Sequence, residues 1–219
     1  MKDLFIYCAG GFGKEVMDVA RRTNNITKQW ECISFIDDSS SEKSKYGAQV
    51  YQLDELVSLN KLTKAEVLIA NGEPAVRKKL HERLVLSGGN LGVLVDPSSI
   101  ISDSALIECG VVITPFCSVS SNAFLCRNSS VNTMSIIGHD VKVGENSVIS
   151  SMVNIGGATV IGDNCYIGMG ALIKEGISIG SGSIVGMGSV VYSDIPANMI
   201  ALGNPARVVR KNTEQRVFK

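Results

Sequence analysis

Aromatic side chains are scarce here: six Phe, five Tyr and one Trp make up 5% of 219 residues, although hydrophobic residues reach 45%. The interior must therefore be filled by Ile, Val, Ala and Ser rather than by rings. Histidine is scarcer still, with only His81 and His139. A zinc hydrolase or hydratase needs about three converging His or Cys ligands, so that class is disfavoured and no metal is expected. An excess of either charge is also lacking, with 21 Lys and Arg against 21 Asp and Glu. Without a basic stripe to meet phosphates, nucleic acid is not an expected partner. No apolar run is long enough to span a bilayer. The stretch Met1–Tyr7 runs straight into glycines, without the long apolar region and cleavage site of a signal peptide. None of the six cysteines forms a CxxC pair, which reads as reduced, mostly buried thiols in a cytoplasmic protein.

What the sequence does have is a period of six. Stepping by six from Ile101 to Val191 meets sixteen aliphatic residues, fifteen of them β-branched. Four places after each stands a small or compact residue, from Ala105 and Val111 to Ser189 and Ile195. Glycine often follows the aliphatic, as at Gly138, Gly144, Gly156, Gly162 and Gly168. Six is neither the 3.6 of an α-helix nor a two-residue alternation. It suits a short strand and a corner, with the large aliphatic on the axis and the small residue where the chain turns. Three such units close a coil, and stacked coils form a parallel β-helix. The run contains no insertion, so no long loop leaves a corner.

The first hundred residues alternate strand and helix signals. Leu4–Cys8 reads as a buried strand leading through Ala9-Gly10-Gly11-Phe12-Gly13 into a helix from about Lys14 to Arg22. Ile33–Ile36 reads as a second strand ending in Asp37-Asp38, and Val67–Ala70 as a third ending in Asn71-Gly72. Helices are expected over 52–59 and 74–86, the latter with Pro near its start. This is the pattern of a small parallel-sheet, Rossmann-like α/β domain, which binds ligands beyond the carboxyl ends of its strands. The glycine loop suits a phosphate at a helix N-terminus, although Cys8 stands where the first glycine of a G-x-G-x-x-G would be. Domains are expected over 1–96 and 97–219.

Taken in order, Ala9–Gly13, Phe35-Ile36-Asp37-Asp38, Ala70-Asn71-Gly72 with Arg77-Lys78, the hexapeptide run and Gly203-Asn204-Pro205-Ala206-Arg207 resemble the bacterial nucleotide-amino-sugar N-acetyltransferases. The related sialic acid O-acetyltransferases share the pattern. The resemblance implies a left-handed β-helix and a homotrimer with active sites between subunits. It implies acetyl-CoA as co-substrate and a UDP- or dTDP-linked amino sugar as acceptor, acetylated at a C4 amine, in O-antigen or a related glycan synthesis. Gly10, Gly11, Phe12, Gly13, Asp37, Asp38, Asn71, Gly72 and Arg77 would then hold the nucleotide sugar. Asn204, Pro205 and Arg207 would lie near CoA, with Arg210 also placed for its phosphates.

His81 sits among Lys78, Lys79, Glu82 and Arg83 and reads as a solvated helix residue. His139 takes the third place of a hexapeptide, at a corner, and is followed by Asp140. Amide formation from an amine and a thioester needs a base, for which imidazole is suited. It also needs a donor for the oxyanion, for which a backbone N–H is enough. On the resemblance, His139 is the base, Asp140 fixes its tautomer, and the Gly157 N–H faces the thioester oxygen. Some members carry a second histidine or a polar residue nine positions after the base, where this chain has Val148. Two other readings remain open: an O-acetyltransferase of sialic or a related acid, and a non-catalytic nucleotide-binding scaffold.

Overall fold

The computed structural model describes residues 2–218. The N-terminal sheet is built from β1 (Lys2–Tyr7), β2 (Trp30–Ile36), β3 (Ser44–Lys45), β4 (Ala48–Tyr51) and β5 (Ala65–Ile69), in the order β3-β4-β2-β1-β5. Leu4 to Tyr7 are all buried, as expected of a parallel strand covered on both faces. Helix α1 (Gly11–Thr27) covers one face through Val16, Met17, Val19 and Ala20. Helices α2 (Leu53–Ser58) and α3 (Pro74–Leu86) cover the other, where Leu53, Leu56 and Leu84 join Phe5, Tyr7 and Ile69. The sheet is not wholly parallel. β3 and β4 form an antiparallel hairpin at one edge. Its two turn residues, Tyr46 and Gly47, both have positive φ, the geometry that matches strand twist in tight hairpins.

The second domain is a left-handed parallel β-helix. Each two-residue strand pairs with the strand eighteen residues on, as Ser118-Val119 does with Ile136-Ile137. The strands make three faces. The first runs through Val112, Ser130, Val148, Tyr166 and Ile184, the second through Ser118, Ile136, Asn154 and Leu172, and the third through Phe124, Lys142 and Val160. The aliphatic of every hexapeptide from Ile113 to Val191 is buried in one continuous core. Each such side chain contributes about 1.5–3 kcal/mol through burial. The solenoid starts before the hexapeptide run, because Leu94-Val95 already pair with Val112-Ile113 on the first face.

The glycine after the aliphatic serves close stacking and not backbone freedom. A Cβ on Gly138 would stand 2.7 Å from the Gly157 nitrogen of the next coil. Positive φ falls two residues later, held by non-glycine residues such as Asp140, Asn146 and Ala158 and, in the later coils, by Gly170, Gly176, Gly182 and Gly188. At the corner between third and first faces this position is a ladder of asparagines. Asn128 Nδ2 donates to Asn146 Oδ1 (2.8 Å), and Asn146 Nδ2 to Asn164 Oδ1 (3.2 Å).

Arg77, expected among the nucleotide-sugar ligands, is placed at the domain junction, where it joins that ladder to the first domain. Its side chain is fully buried. Nη1 donates to the Ile69 and Asn71 carbonyls at the end of β5 (2.6 and 3.1 Å). Nε and Nη2 donate to the Asn128 carbonyl (2.9 and 2.6 Å), and Nη2 also to Asn128 Oδ1 (3.1 Å). Burial pushes the guanidinium down to about 9, which leaves it charged at neutral pH. A second clasp joins Arg22 of α1 to the buried Asp96.

Met199–Gly203 and Ala206–Lys211 form an antiparallel hairpin that extends the first face, with a cis Asn204–Pro205 peptide in its turn. Residues after Lys211 run back to the N-terminal domain, where the Val217 and Phe218 N–H groups donate to the Glu73 carboxylate. Lys219 lies outside the described residues.

Removing the guanidinium strands three buried carbonyls at the domain junction. Arg77→Ala is expected to lower the unfolding free energy by about 3 kcal/mol, measured by urea titration followed by circular dichroism. A loss under 1 kcal/mol would show that Arg77 does not hold the junction together.

Candidate active site

His139 and Asp140 are the two turn residues of one corner, between the second-face strand Ile136-Ile137 and the third-face strand Lys142-Val143. Both side chains are exposed. His139 Nδ1 lies 2.8 Å from Asp140 Oδ2. The other carboxylate oxygen accepts from Asn122 Nδ2 at 3.1 Å, one coil below. The contact with His139, and then that with Asn122, hold the Asp140 carboxyl below the usual carboxylate range. An ionised carboxylate only accepts, so Nδ1 carries the ring proton and Nε2 presents a lone pair. That nitrogen lies over Gly157 of the next coil, where a Cβ would collide with the imidazole. Among the described residues, no acceptor is paired with the Gly157 N–H. An imidazole held by a carboxylate and an unpaired backbone donor thus stand on adjacent coils of a rigid stack.

The strand ends of the N-terminal domain form a second constellation. Gly10 caps α1 without a side-chain hydrogen bond, and the first turn of the helix holds no acidic residue, which leaves its N–H groups available to an anion. Gly10 and Gly11 face open space, whereas a Cβ on Gly13 would collide with the Cys8 carbonyl. Phe12 turns back against the α1-side core. Cys8 itself takes a left-handed φ of 85°, and Asn71 Nδ2 approaches its sulfur at 3.6 Å. Asp37 Oδ2 accepts the Ala9 N–H (3.0 Å) and Oδ1 accepts both the N–H and hydroxyl of Ser39. Burial works against the charged form of Asp37, but the Ser39 and Ala9 donors outweigh it and hold the carboxyl below its ordinary value.

Asp38 and Asp37 have different roles. Asp38 accepts the Tyr7 hydroxyl, Arg83 Nη1 (2.8 Å) and the Leu53 N–H (2.9 Å), so it ties α2 and α3 to the sheet. Asn71 uses its side-chain oxygen on the Glu73 N–H and its carbonyl on Arg77. His81 is half-buried rather than solvated. Burial, and then the nearby Arg127, push its pKa down. Asn204 and Pro205 are exposed in the C-terminal hairpin turn, and Arg207 donates to the carbonyl of Ala206. They belong to the first face, so one chain does not bring them to His139. Arg210 lines a cavity of about 400 Å³ with Tyr166, Met169, Met187, Leu202 and Phe218. Among the described residues, no group of three or more His, Cys, Asp or Glu side chains is arranged to hold a metal ion, and no helix is long and apolar enough to cross a membrane.

Residues 3–84 match the model of the PglD N-terminal domain, and residues 158–193 that of the bacterial transferase hexapeptide (six repeats). WeeI from Acinetobacter baumannii AYE is 31% identical, covering 95% of this chain and 100% of that one with a TM-score of 0.84. The acetyltransferase domain of PglB from Neisseria gonorrhoeae FA1090 is 30% identical over 95% of this chain and 100% of that one, with a TM-score of 0.88. The chain belongs to the nucleotide-amino-sugar N-acetyltransferase family. A curated member, GDP-perosamine N-acetyltransferase of Escherichia coli O157:H7, is 33% identical over 128 residues, 56% of this chain. That match spans only about half (55%) of the relative's own length.

Within this acetyltransferase family frame, the residues of greatest interest that carry no motif are Glu73, Tyr166 and Phe218. They come together only through the returning C-terminal tail. Cys8 was visible as a departure from the glycine pattern, but its left-handed backbone was not.

Asp37 yields a pH test. A carboxyl depressed in the folded state stabilises above its unfolded value and loses that contribution as pH falls through the folded one. Asp37→Ala is therefore expected to lower the melting temperature at pH 7 and to converge on the wild type as pH falls toward 3. An equal deficit at both pH values would mean that the Asp37 charge is not what matters.

Proposed function

We propose that this protein transfers the acetyl group of acetyl-CoA to the amine of a nucleoside-diphosphate-linked amino sugar, with His139 as general base. The observation that carries the reading is the corner where Asp140 fixes the His139 tautomer and Nε2 lies over Gly157. The amine lone pair attacks the thioester carbon, and the carbonyl electron pair moves to oxygen, where the Gly157 N–H donates to it. His139 Nε2 takes the amine proton. Collapse of the intermediate breaks the C–S bond, and His139 returns the proton to the thiolate sulfur. The products are the acetamide and free CoA. The PglB domain, 29% identical in this second structure, has been solved with acetyl coenzyme A bound, which supports the donor.

The acceptor would lie along the strand ends, its diphosphate at Gly10-Gly11 and its nucleoside near Asp37. Within one chain these ends abut the first face, while His139 sits on the corner between the other two. A second copy must then complete each site. Exposed Phe116, Met134, Met152, Ile136 and Leu172, along the second face and its corner, offer an apolar surface for that contact. This supports a homotrimer with shared sites; the cytoplasm as its place of work and an O-antigen or related glycan precursor as its product are taken from the family resemblance. The base is taken as uracil or thymine and the amine as that on C4. The GDP sugar in the E. coli relative's name makes guanine the alternative to test.

The assay is release of free thiol from acetyl-CoA against UDP-, dTDP- and GDP-linked 4-amino and 3-amino sugars, with free sialic acid as the hydroxyl acceptor. Transfer to sialic acid alone would favour O-acetylation, and transfer to none would leave a binding scaffold. His139→Ala is expected to lower kcat by about 10²–10⁴-fold while thermal unfolding stays unchanged. Full activity in that variant would remove His139 from the chemistry. Gly157→Ala sets a methyl against an exposed side chain and not against backbone, so folding is spared. Displacing the imidazole is expected to cost at least about 100-fold in kcat.

A further inference from the structure

On the acetyl-transfer reading above, on which this inference rests, we propose that the C-terminal tail forms one wall of the acceptor site, with Phe218 the surface against which the sugar packs. Glu73 follows Asn71-Gly72 at the carboxyl end of β5 and makes no side-chain hydrogen bond to its own helix. Its carboxylate instead accepts the Val217 N–H (2.9 Å) and the Phe218 N–H (2.6 Å). Arg216 Nε donates to the Phe218 carbonyl (2.6 Å) and tightens the same turn of chain.

These bonds fix where the Phe218 ring stands. Its centroid is 5.6 Å from that of Tyr166, edge to face at 83°. Its rim is 3.3 Å from where a Cβ on Gly72 would be, so residue 72 has to be small for the ring to sit there. The ring thus bridges the nucleotide-binding domain and the first face of the β-helix. It is nevertheless 51% exposed, so its one aromatic neighbour and the backbone clasp leave much of the ring open. Asp37, the Cys8–Gly11 loop, Asn71-Gly72 and Phe218 follow one another from the end of β2 toward the β-helix. A nucleoside and diphosphate on the first two leave the hexose over Gly72, beside the open part of the ring. The C–H face of a deoxy-amino sugar suits an aromatic surface that has no hydrogen-bonding group of its own. Phe218 then selects for the sugar and is indifferent to the base. Glu73 is a positioning residue that holds it there.

The test uses the full chain and its Phe218→Ala, Phe218→Trp and Glu73→Ala variants, with thermal unfolding as the control for folding. Steady-state assays would use acetyl-CoA and the best acceptor of the nucleotide-sugar panel. Calorimetric titrations would use that sugar and the matching bare nucleoside diphosphate. Phe218→Ala is expected to raise KM for the nucleotide sugar about five- to tenfold, with KM for acetyl-CoA and affinity for the bare diphosphate unchanged. Phe218→Trp is expected to retain wild-type values. Glu73→Ala should reproduce the loss, and the double variant should add little to it, because both remove one interaction. Wild-type transfer with an unaltered sugar KM in Phe218→Ala overturns the role of the tail and leaves the function standing. Equal losses toward sugar and bare diphosphate also overturn it, as a general structural defect would. A wild type that acetylates none of these sugars overturns both.

Discussion

Arg77 carries a positive charge without contact with solvent, and its hydrogen bonds all go to oxygen atoms of the chain. Two acceptors are carbonyls at the carboxyl end of β5, and the others belong to Asn128 and Ser129 on the β-helix. A guanidinium in that place is stable only if both domains present their carbonyls at once. The charge therefore works as a geometric gauge: it sets the strand-end crevice against the solenoid, and its removal leaves several buried acceptors unpaired. The crevice, the stacked corners and the returning tail all depend on that relative placement.

The β-helix contributes rigidity more than chemistry. Each coil is fixed by backbone pairing to the coil eighteen residues away. A residue at a corner thus has a fixed neighbour eighteen places on, and His139 over Gly157 is one case. No flexible loop carries the candidate base. Its exposure follows from the corner, where the interior has no room for a ring. The same repeat puts Asn122 below Asp140, so one period supplies the candidate base, the carboxylate beside it, that carboxylate's support and a backbone donor.

Much of this was legible in the sequence because a hexapeptide period has one structural solution. The aliphatic column, the small column and the corner position of His139 follow from spacing. The glycine that often follows the aliphatic was legible as a signal, and the structure supplies its reason: it answers the backbone of the next coil, while the left-handed corner residue is more often Asn, Asp, Met or Ala. The strand-end residues were legible as a group as a candidate ligand site, because strand ends in an α/β domain are where ligands bind. Their individual duties were not. Asp37 and Asp38 are adjacent, but the strand's end sends Asp37 to the glycine loop and Asp38 to Tyr7, Arg83 and the α2 N-terminus. Arg77 stands beside Lys78 in sequence, and one turn of helix geometry buries the first and exposes the second.

The sequence alone determined the solenoid, its period, the α/β domain before it and the isolation of one histidine on its surface. These are local or periodic properties, and each hexapeptide repeats the statement of its neighbour. Only the tertiary structure decided which polar residues stay open at the strand ends and which hold the domains together. It also brought residues 216–218 back to Glu73, roughly 144 positions earlier in the chain. Contacts of that range leave no periodic trace, because they depend on where two separately patterned units meet.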